Sequence, residues 1–363
     1  MPERIYLDHA ATTPLLPAAR EAMAEALSRW HNPSSPHAEG RAAKAALEEA
    51  RERVAAALGW SGKVVFTSGA SEALQIALQR TRAGARYVSA VEHDAVFRPA
   101  SDAERLPVDA KGIVLLRRQE PSGADSESGL LPAQEPRELY AIQHANNETG
   151  VIQPLVPIAE TVREQGGILL ADCAQTAGKL PLPDVDMIAI SAHKFGGPPG
   201  VGALLLRDLS TVDAVGGQEQ GYRPGTENLP GIIGMAVALE AGREWMKEAA
   251  ALRARLEAAV EASGGEVVAK ESERIATIGA YRMPGVASNA QLIRFDVAGI
   301  AVSAGSACSS GSLKASHVLA ATGWPEEAAR EVVRVSFGRS TTAEEVDRFV
   351  EIWSQMAQRK RAA

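Results

Sequence analysis

The sequence predicts an α/β fold built on a largely parallel sheet, and three observations carry that expectation. Segments with helical spacing alternate with short apolar runs of strand length. Polar clusters follow several of those runs at once, which is where open parallel sheets collect their ligands. At 363 residues, 45% of them hydrophobic and 23% charged, the chain is an ordered globular one, long enough for roughly two domains.

From the N-terminus, LPAAREAMAEALSRW (16–30) and the alanine-rich HAEGRAAKAALEEARERVAAAL (37–58) read as helices. KVVFT (63–67) follows as a strand and ASEALQIALQR (70–80) as a helix, with a glycine turn between them. ARYVSAV (85–91), ELYAIQHA (138–145), GILLAD (167–172), DMIAI (186–190) and GALLLR (202–207) read as further strands, each a short apolar run. PSGADSESGLLPAQEP (121–136) is polar and rich in turn formers, so it predicts an exposed loop. From about Pro230 to Ser263 the chain reads as helical, and after it short strands mix with helices, the texture of a second and smaller α+β domain. The last helix carries its own start signal: Thr342 followed by Glu345, ahead of VDRFVEIW, fits a capping box.

The formal net charge of -7 argues against a nucleic-acid or anionic-membrane surface, and RKR near the C-terminus is too short to change that. MPERIYLDHAATT has no basic segment followed by an apolar one, so no secretory signal is expected, and no stretch approaches the length of a membrane span. Cys173 and Cys308 are too few for a disulfide framework, which makes a reducing, cytoplasmic setting the default expectation.

ISAHKFGGPPG (190–200) places Lys194 where a buried strand leaves the sheet and the chain turns. An ordinary lysine there packs its stem and carries its ammonium to water. The alternative is an amine kept partly desolvated, able to act as a nucleophile or to form a Schiff base. KVVFTSGASEALQIAL supplies strand, glycine turn and helix, so N–H groups near Ala70 and Ser71 suit a phosphate, although a plain capped helix start has the same look. Asp172 ends GILLAD with Gln175 just beyond it; alone, such an aspartate reads as a helix or turn cap. A strand-end lysine, a strand-end aspartate and a helix-start phosphate site are together what pyridoxal 5'-phosphate requires. Lys194 would form the Schiff base and Asp172 would keep the pyridine nitrogen protonated. His93, in AVEHDAV, either stacks on the ring or is a polar turn histidine.

The ordered series YLDHAATTP, NPSSPH, FTSGASEA, VEHDAV, NNETGVIQPL, DCAQ, SAHKFGGP, GYRPGTEN, SAGSACSSGS and RVSFGRSTTAEEVD resembles the class V aminotransferase group of pyridoxal phosphate enzymes. Within that group it is most similar to cysteine desulfurases of the NifS/IscS type, through nearly the whole chain. The resemblance implies the pyridoxal phosphate transferase fold type I, with a mostly parallel seven-stranded sheet. It implies a large cofactor-binding domain at 16–247, and a small α+β domain formed by 1–15 and 248–363 that carries the cysteine loop.

By the same resemblance Lys194 matches the Schiff-base lysine, Asp172 the partner of the pyridine nitrogen, and His93 the ring-stacking histidine. Asn147 and Gln175 match side chains that hydrogen-bond the ring oxygen, and Ala70, Ser71, Ser191 and His193 match phosphate-binding positions. Thr226 matches a threonine that reaches the phosphate from the second subunit of a homodimer. Arg334 matches the arginine that binds the substrate carboxylate, a task suited to a guanidinium fork; Asn32 is a further candidate at that end. No metal ligand is assigned. His9 stands where asparagine is usual and Pro199 where lysine often stands. The stretch before Glu138 looks short and the chain stops soon after its last helix, which bears on partner docking.

SAGSACSSGSLKASHVL surrounds Cys308 with glycine and serine, which give its thiol no apolar packing and favour a reactive cysteine. Cys173, behind a strand-end aspartate, predicts a small buried side chain. The resemblance implies that Cys308 takes sulfur from L-cysteine and is left as a persulfide while L-alanine departs. The sulfur then passes to an acceptor protein, such as an iron–sulfur scaffold or a tRNA or cofactor thiolation enzyme. A selenocysteine lyase or a small amino acid aminotransferase of the same fold stays open, although an aminotransferase needs no loop thiol. A catalytically retired scaffolding paralogue should have lost Lys194, Asp172 or Cys308, and all three are present.

Overall fold

The structure is a computed structural model that describes residues 4–29, 31–116, 137–305 and 316–361. The expected loop at 121–136 and Cys308 lie outside the described residues. In chain order the elements are β1 (Ile5–Tyr6), α1 (Pro17–Ser28), α2 (Ala38–Leu58), β2 (Lys63–Thr67), α3 (Ala70–Arg80), β3 (Arg86–Ser89), α4 (Asp94–Phe97) and β4 (Glu104–Leu106). There follow β5 (Leu139–Gln143), α5 (Leu155–Glu164), β6 (Ile168–Asp172), β7 (Met187–Ser191), β8 (Gly202–Leu206), α6 (Leu229–Glu240) and α7 (Met246–Ala262). The last are β9 (Glu266–Val267), β10 (Ile278–Arg282), α8 (Ser288–Val297), β11 (Ile300–Ala301), α9 (His317–Ala321), α10 (Glu326–Ala329), β12 (Val332–Ser336) and α11 (Ala343–Arg361).

Among the described residues seven strands form one sheet in the order β2-β8-β7-β6-β5-β3-β4. β8 is antiparallel to both of its neighbours, and every other pair is parallel. The uninterrupted apolar strands follow from burial on both faces. Along β7, Ile188 and Ile190 enter a core with α1, α2, α5 and α6, whereas Met187 and Ala189 enter a second core with α3 and α4. All five residues of β5, β6, β7 and β8 are buried.

A third core joins the two ends of the chain: Leu7, next to β1, packs with Leu252 of α7, Phe295 of α8, and Phe349 and Trp353 of α11. Phe295 and Phe349 stack at 4.4 Å, and the buried Trp353 satisfies its N–H by donating to Ser263 Oγ at 2.8 Å. β12, β10 and β9 form a three-stranded antiparallel sheet beside this core, and β1 pairs in parallel with β11.

Two stretches differ from the sequence expectation. The helical run from Pro230 is broken after Glu240, because Gly242 adopts φ 76°, a left-handed turn that ends α6 before α7 begins at Met246. The stretch 155–164 is not among the helices expected from the sequence, yet it forms α5. Pro157 in fact lies in the first turn of α5, where an N–H has no intrahelical partner to lose. Leu155, Ile158, Ala159 and Val162 then form its buried face. The expected capping box is present: Thr342 N donates to Glu345 Oε2 at 2.9 Å and Glu345 N to Thr342 Oγ1 at 3.3 Å. Among the described residues no helix is long and apolar enough to cross a membrane.

Candidate active site

Gly202 sets the site. It pairs with Thr67 at the end of β2 on one side and with Ser191 at the end of β7 on the other. A Cβ at Gly202 would run into the Gly69 backbone and the Ile190 carbonyl, so only glycine lets the turn into α3 sit this close to β7. The N-terminus of α3, with Ala70 and Ser71, therefore stands beside Ser191 and His193. The first N–H groups of a helix have no intrahelical partners, which makes this corner suited to an anion.

A cavity of about 370 Å³ opens at that corner. Ala70, Ser71, Ser191, His193 and Lys194 line it, as do His93, Asn147, Asp172, Gln175 and Arg334. Two expected residues stand apart. Thr226 is exposed beyond the cavity, and Asn32 is exposed with Oδ1 accepting from Ser34 N at 2.9 Å, a local turn. Cys308 lies outside the described residues. Cys173 is fully buried, as expected, and burial pushes its thiol well up.

The strand ends give the cavity its electrostatics. Asp172 closes β6 opposite Gln143 of β5, and its Oδ1 accepts from Ala174 N at 2.8 Å. Burial pushes its carboxyl above the usual range, opposed by that N–H and then by His93 and Lys194. His93 caps α4, its Nδ1 accepting from Ala95 N at 3.1 Å, which leaves the ring proton on Nε2. Burial holds its pKa below the ordinary value, with Asp172 pulling the other way. His193 is held down at about 4, by burial first and by Lys194 and Lys179 next.

Lys194 follows β7 and donates from Nζ to the carbonyls of Ala10 at 2.7 Å and Ala11 at 2.8 Å. Gln175 Nε2 donates to Ala10 O at 3.0 Å, and its Oε1 is buried without a protein partner among the described residues. Arg334, on β12 and 2% exposed, donates from Nη2 to Asp8 Oδ1 at 2.7 Å and from Nη1 to Asn147 O at 2.9 Å. Its Nε is likewise buried without a partner.

Residues 8–13, within YLDHAATTP, brace the Lys194 turn, a role the sequence does not announce. Thr13 N donates to His193 O at 2.8 Å, Thr13 Oγ1 to Lys194 O at 3.2 Å, and Thr12 Oγ1 meets His193 Nδ1 at 3.2 Å. This segment holds the Lys194 turn by the Thr13 N–H and two threonine hydroxyls, and receives Lys194 Nζ on the Ala10 and Ala11 carbonyls. The carbonyl part of that role leaves no mark on side-chain type.

The class-V aminotransferase family matches residues 5–349. The chain belongs to that family. Within it the chain is of the NifS/IscS-like cysteine desulfurase type. The cysteine desulfurase IscS of Dictyoglomus turgidum is 36% identical over 389 residues, covering 99% of this chain and 96% of that protein. The crystal structure of a NifS-like protein from Rickettsia africae superposes with a TM-score of 0.85 at 27% identity, covering 98% of this chain and all of that one. SspA, solved in complex with cysteine, superposes at 0.76 with 28% identity over 93% of this chain. The family is one of pyridoxal phosphate-dependent enzymes, and this fold is theirs.

The cavity fits that group chemically. The buried Asp172 carboxylate would be complemented by a protonated ring nitrogen, the orphaned Gln175 Oε1 could accept from a ring hydroxyl, and the α3 corner could take a phosphate. Among the described residues no group of three or more His, Cys, Asp and Glu is placed to hold a metal ion.

Proposed function

We infer that this protein is a cysteine desulfurase, which takes sulfur from L-cysteine onto Cys308 and releases L-alanine. The observation that carries this reading is the single cavity lined by Lys194, Asp172, Gln175 and Arg334 together, in a chain whose relatives are cysteine desulfurases. Bound there, pyridoxal 5'-phosphate supplies an electron-withdrawing ring for chemistry at the substrate α-carbon.

In this reading Ala70, Ser71, Ser191 and His193 hold the phosphate, with Thr226 of a second copy completing the cradle. Asn147 and Gln175 take the ring oxygen, Asp172 keeps the ring nitrogen protonated, and His93 stacks on the ring. Arg334 binds the substrate carboxylate: its unpartnered Nε supplies a donor while Asp8 and Asn147 hold the other end of the fork. Asn32 stands as a further contact for the same end. Lys194 Nζ moves the proton of the substrate α-carbon, steadied before reaction by the Ala10 and Ala11 carbonyls. The Cys308 thiolate attacks the substrate sulfur as the carbon–sulfur bond breaks. The electron pair of that bond stays with the carbon skeleton, which takes up a proton and leaves as L-alanine. Cys308 is left as a persulfide that passes its outer sulfur to an acceptor such as an iron–sulfur scaffold in the cytoplasm. Residues 16–247 would form the large domain, and 1–15 with 248–363 the small one.

The test is to supply L-cysteine with a reductant and follow alanine and sulfide. Cys308→Ser should keep the bound cofactor and its spectral response to L-cysteine, yet nearly stop alanine formation. Alanine at the normal rate from that variant contradicts the reading and favours an aminotransferase or lyase.

A further inference from the structure

Glu148 lies in the turn after β5, outside the cavity, 5% exposed. Its backbone is fixed by Asn146, whose Oδ1 accepts from Glu148 N at 2.9 Å and from Thr149 N at 2.8 Å. Its carboxylate meets two residues far apart in the sequence. Oε2 accepts from Ser316 Oγ at 2.5 Å, and a Cβ added at Gly305 would fall on that same oxygen. Gly305 and Ser316 are the residues flanking 306–315, the segment that contains Cys308.

Both flanks are tied onward to the site. Ser303 exchanges backbone hydrogen bonds with Arg334, at 2.6 and 3.2 Å. Ser316 caps α9 by accepting from Leu319 N at 3.1 Å, and His317 Nε2 donates to Glu92 O at 2.9 Å, next to His93. Asn147, adjacent to Glu148, lines the cavity and accepts from Arg334. One turn thus touches the cavity with one residue and the two flanks with the next.

We propose that Glu148 is a positioning residue that clamps the two flanks of the Cys308 segment together, and so sets how readily Cys308 meets the substrate sulfur. Transfer between two groups of one chain depends on an effective concentration fixed by tether length and by where the tether ends are held. Removing the Glu148 carboxylate frees Gly305 and Ser316 from their common partner without altering any residue that lines the cavity. The burial of Glu148 also raises its pKa, opposed by the Ser316 hydroxyl. This inference rests on the reading of Cys308 as the sulfur acceptor.

The test uses the holoenzyme with Glu148→Ala, Glu148→Gln, Gly305→Ala, Ser316→Ala and the Glu148→Ala/Gly305→Ala double variant. Three quantities are read: sulfur on Cys308 by mass spectrometry after a single turnover, the cofactor's spectral response to L-cysteine, and hydrogen exchange of the backbone at 303–305 and 316–319. Glu148→Ala and Gly305→Ala should each slow sulfur arrival roughly tenfold, which corresponds to about 1.4 kcal/mol, and should speed exchange at both flanks. The spectral response should be unchanged. The double variant should be no worse than Glu148→Ala alone, because both substitutions break one contact. Glu148→Gln, which keeps an acceptor for Ser316, should restore sulfur arrival to within about twofold of the unmodified enzyme.

Normal sulfur arrival in Glu148→Ala, additive losses in the double variant, or an equal loss of the spectral response would each overturn the clamp. Should Glu148→Ala fail to fold, Gly305→Ala and Ser316→Ala carry the same test. If the unmodified enzyme leaves no sulfur on Cys308, the desulfurase reading falls instead. Exchange then decides the clamp alone: coupled, non-additive opening of the two flanks upholds it, and unchanged exchange overturns it.

Discussion

Gln175 and Lys194 donate to one carbonyl, that of Ala10, at 3.0 and 2.7 Å. The amide of Gln175 is thereby oriented, with Nε2 spent on the backbone and Oε1 left buried for a donor from a ligand. Gln175→Leu should raise the dissociation constant for pyridoxal phosphate roughly tenfold, the worth of about one hydrogen bond. Absorbance titration of the cofactor-free protein measures it, and an unchanged affinity would remove Gln175 from the cofactor's contacts.

His9, 4% exposed beneath Gly338, is held down at about 4, by burial first and by Lys179 next. Unfolded, it titrates near 6.5, so between those values the unfolded chain binds the extra proton. Its contribution to stability is full above about pH 6.5 and is lost as pH falls toward about 4, at up to about 1.4 kcal/mol per pH unit. His9→Asn removes that dependence, so its urea stability should fall less steeply across this window. Equal slopes in the two proteins would mean that His9 is not buried neutral.

Lys179 is 3% exposed, and burial, then Lys194, holds it down at about 7. The unfolded chain binds its proton up to about 10.5, so the penalty is full below pH 7 and fades as pH rises through the window between. Lys179→Met keeps the buried stem and drops the charge. It should stabilise the cofactor-free protein at neutral pH by up to a few kcal/mol, with the gain shrinking toward about pH 10. Melting curves at the two pH values check this, and a pH-independent loss contradicts it.

Thr226 sits in a segment braced from α2 and α3. Arg51 forks onto the buried Glu219 at 2.7 and 3.0 Å, Arg80 Nη1 donates to Tyr222 O at 2.9 Å, and Arg223 pairs with Glu72 at 3.1 Å. Held this way and exposed, Thr226 suits a site on a second copy. Thr226→Ala should weaken cofactor retention by about 1.5–3 kcal/mol, the range for a hydroxyl to a charged oxygen. Mixing it with Lys194→Ala should restore activity, because a mixed dimer holds one intact site. No recovery after verified subunit exchange would contradict shared sites.

The sheet was legible because burial on both faces writes continuous apolar runs, as in GILLAD and DMIAI. The strand-end groups Asp172 and Lys194 were legible because a charge ending an apolar run is conspicuous. The short strands β1 and β11, two residues each, were not, since so brief a run has no period to detect. Nor was the Glu148 clamp, which joins Gly305 and Ser316 across more than 150 residues of sequence from their common partner. Side-chain type marks what a residue can do, and only the fold says whom it meets.

The most direct test of the central claim is a single turnover of the unmodified enzyme with L-cysteine and no reductant, followed by peptide mass spectrometry. The account predicts one additional sulfur on the peptide carrying Cys308, released by dithiothreitol. Extra sulfur only on the peptide carrying the buried Cys173, or alanine formed while Cys308 stays unmodified, would contradict it.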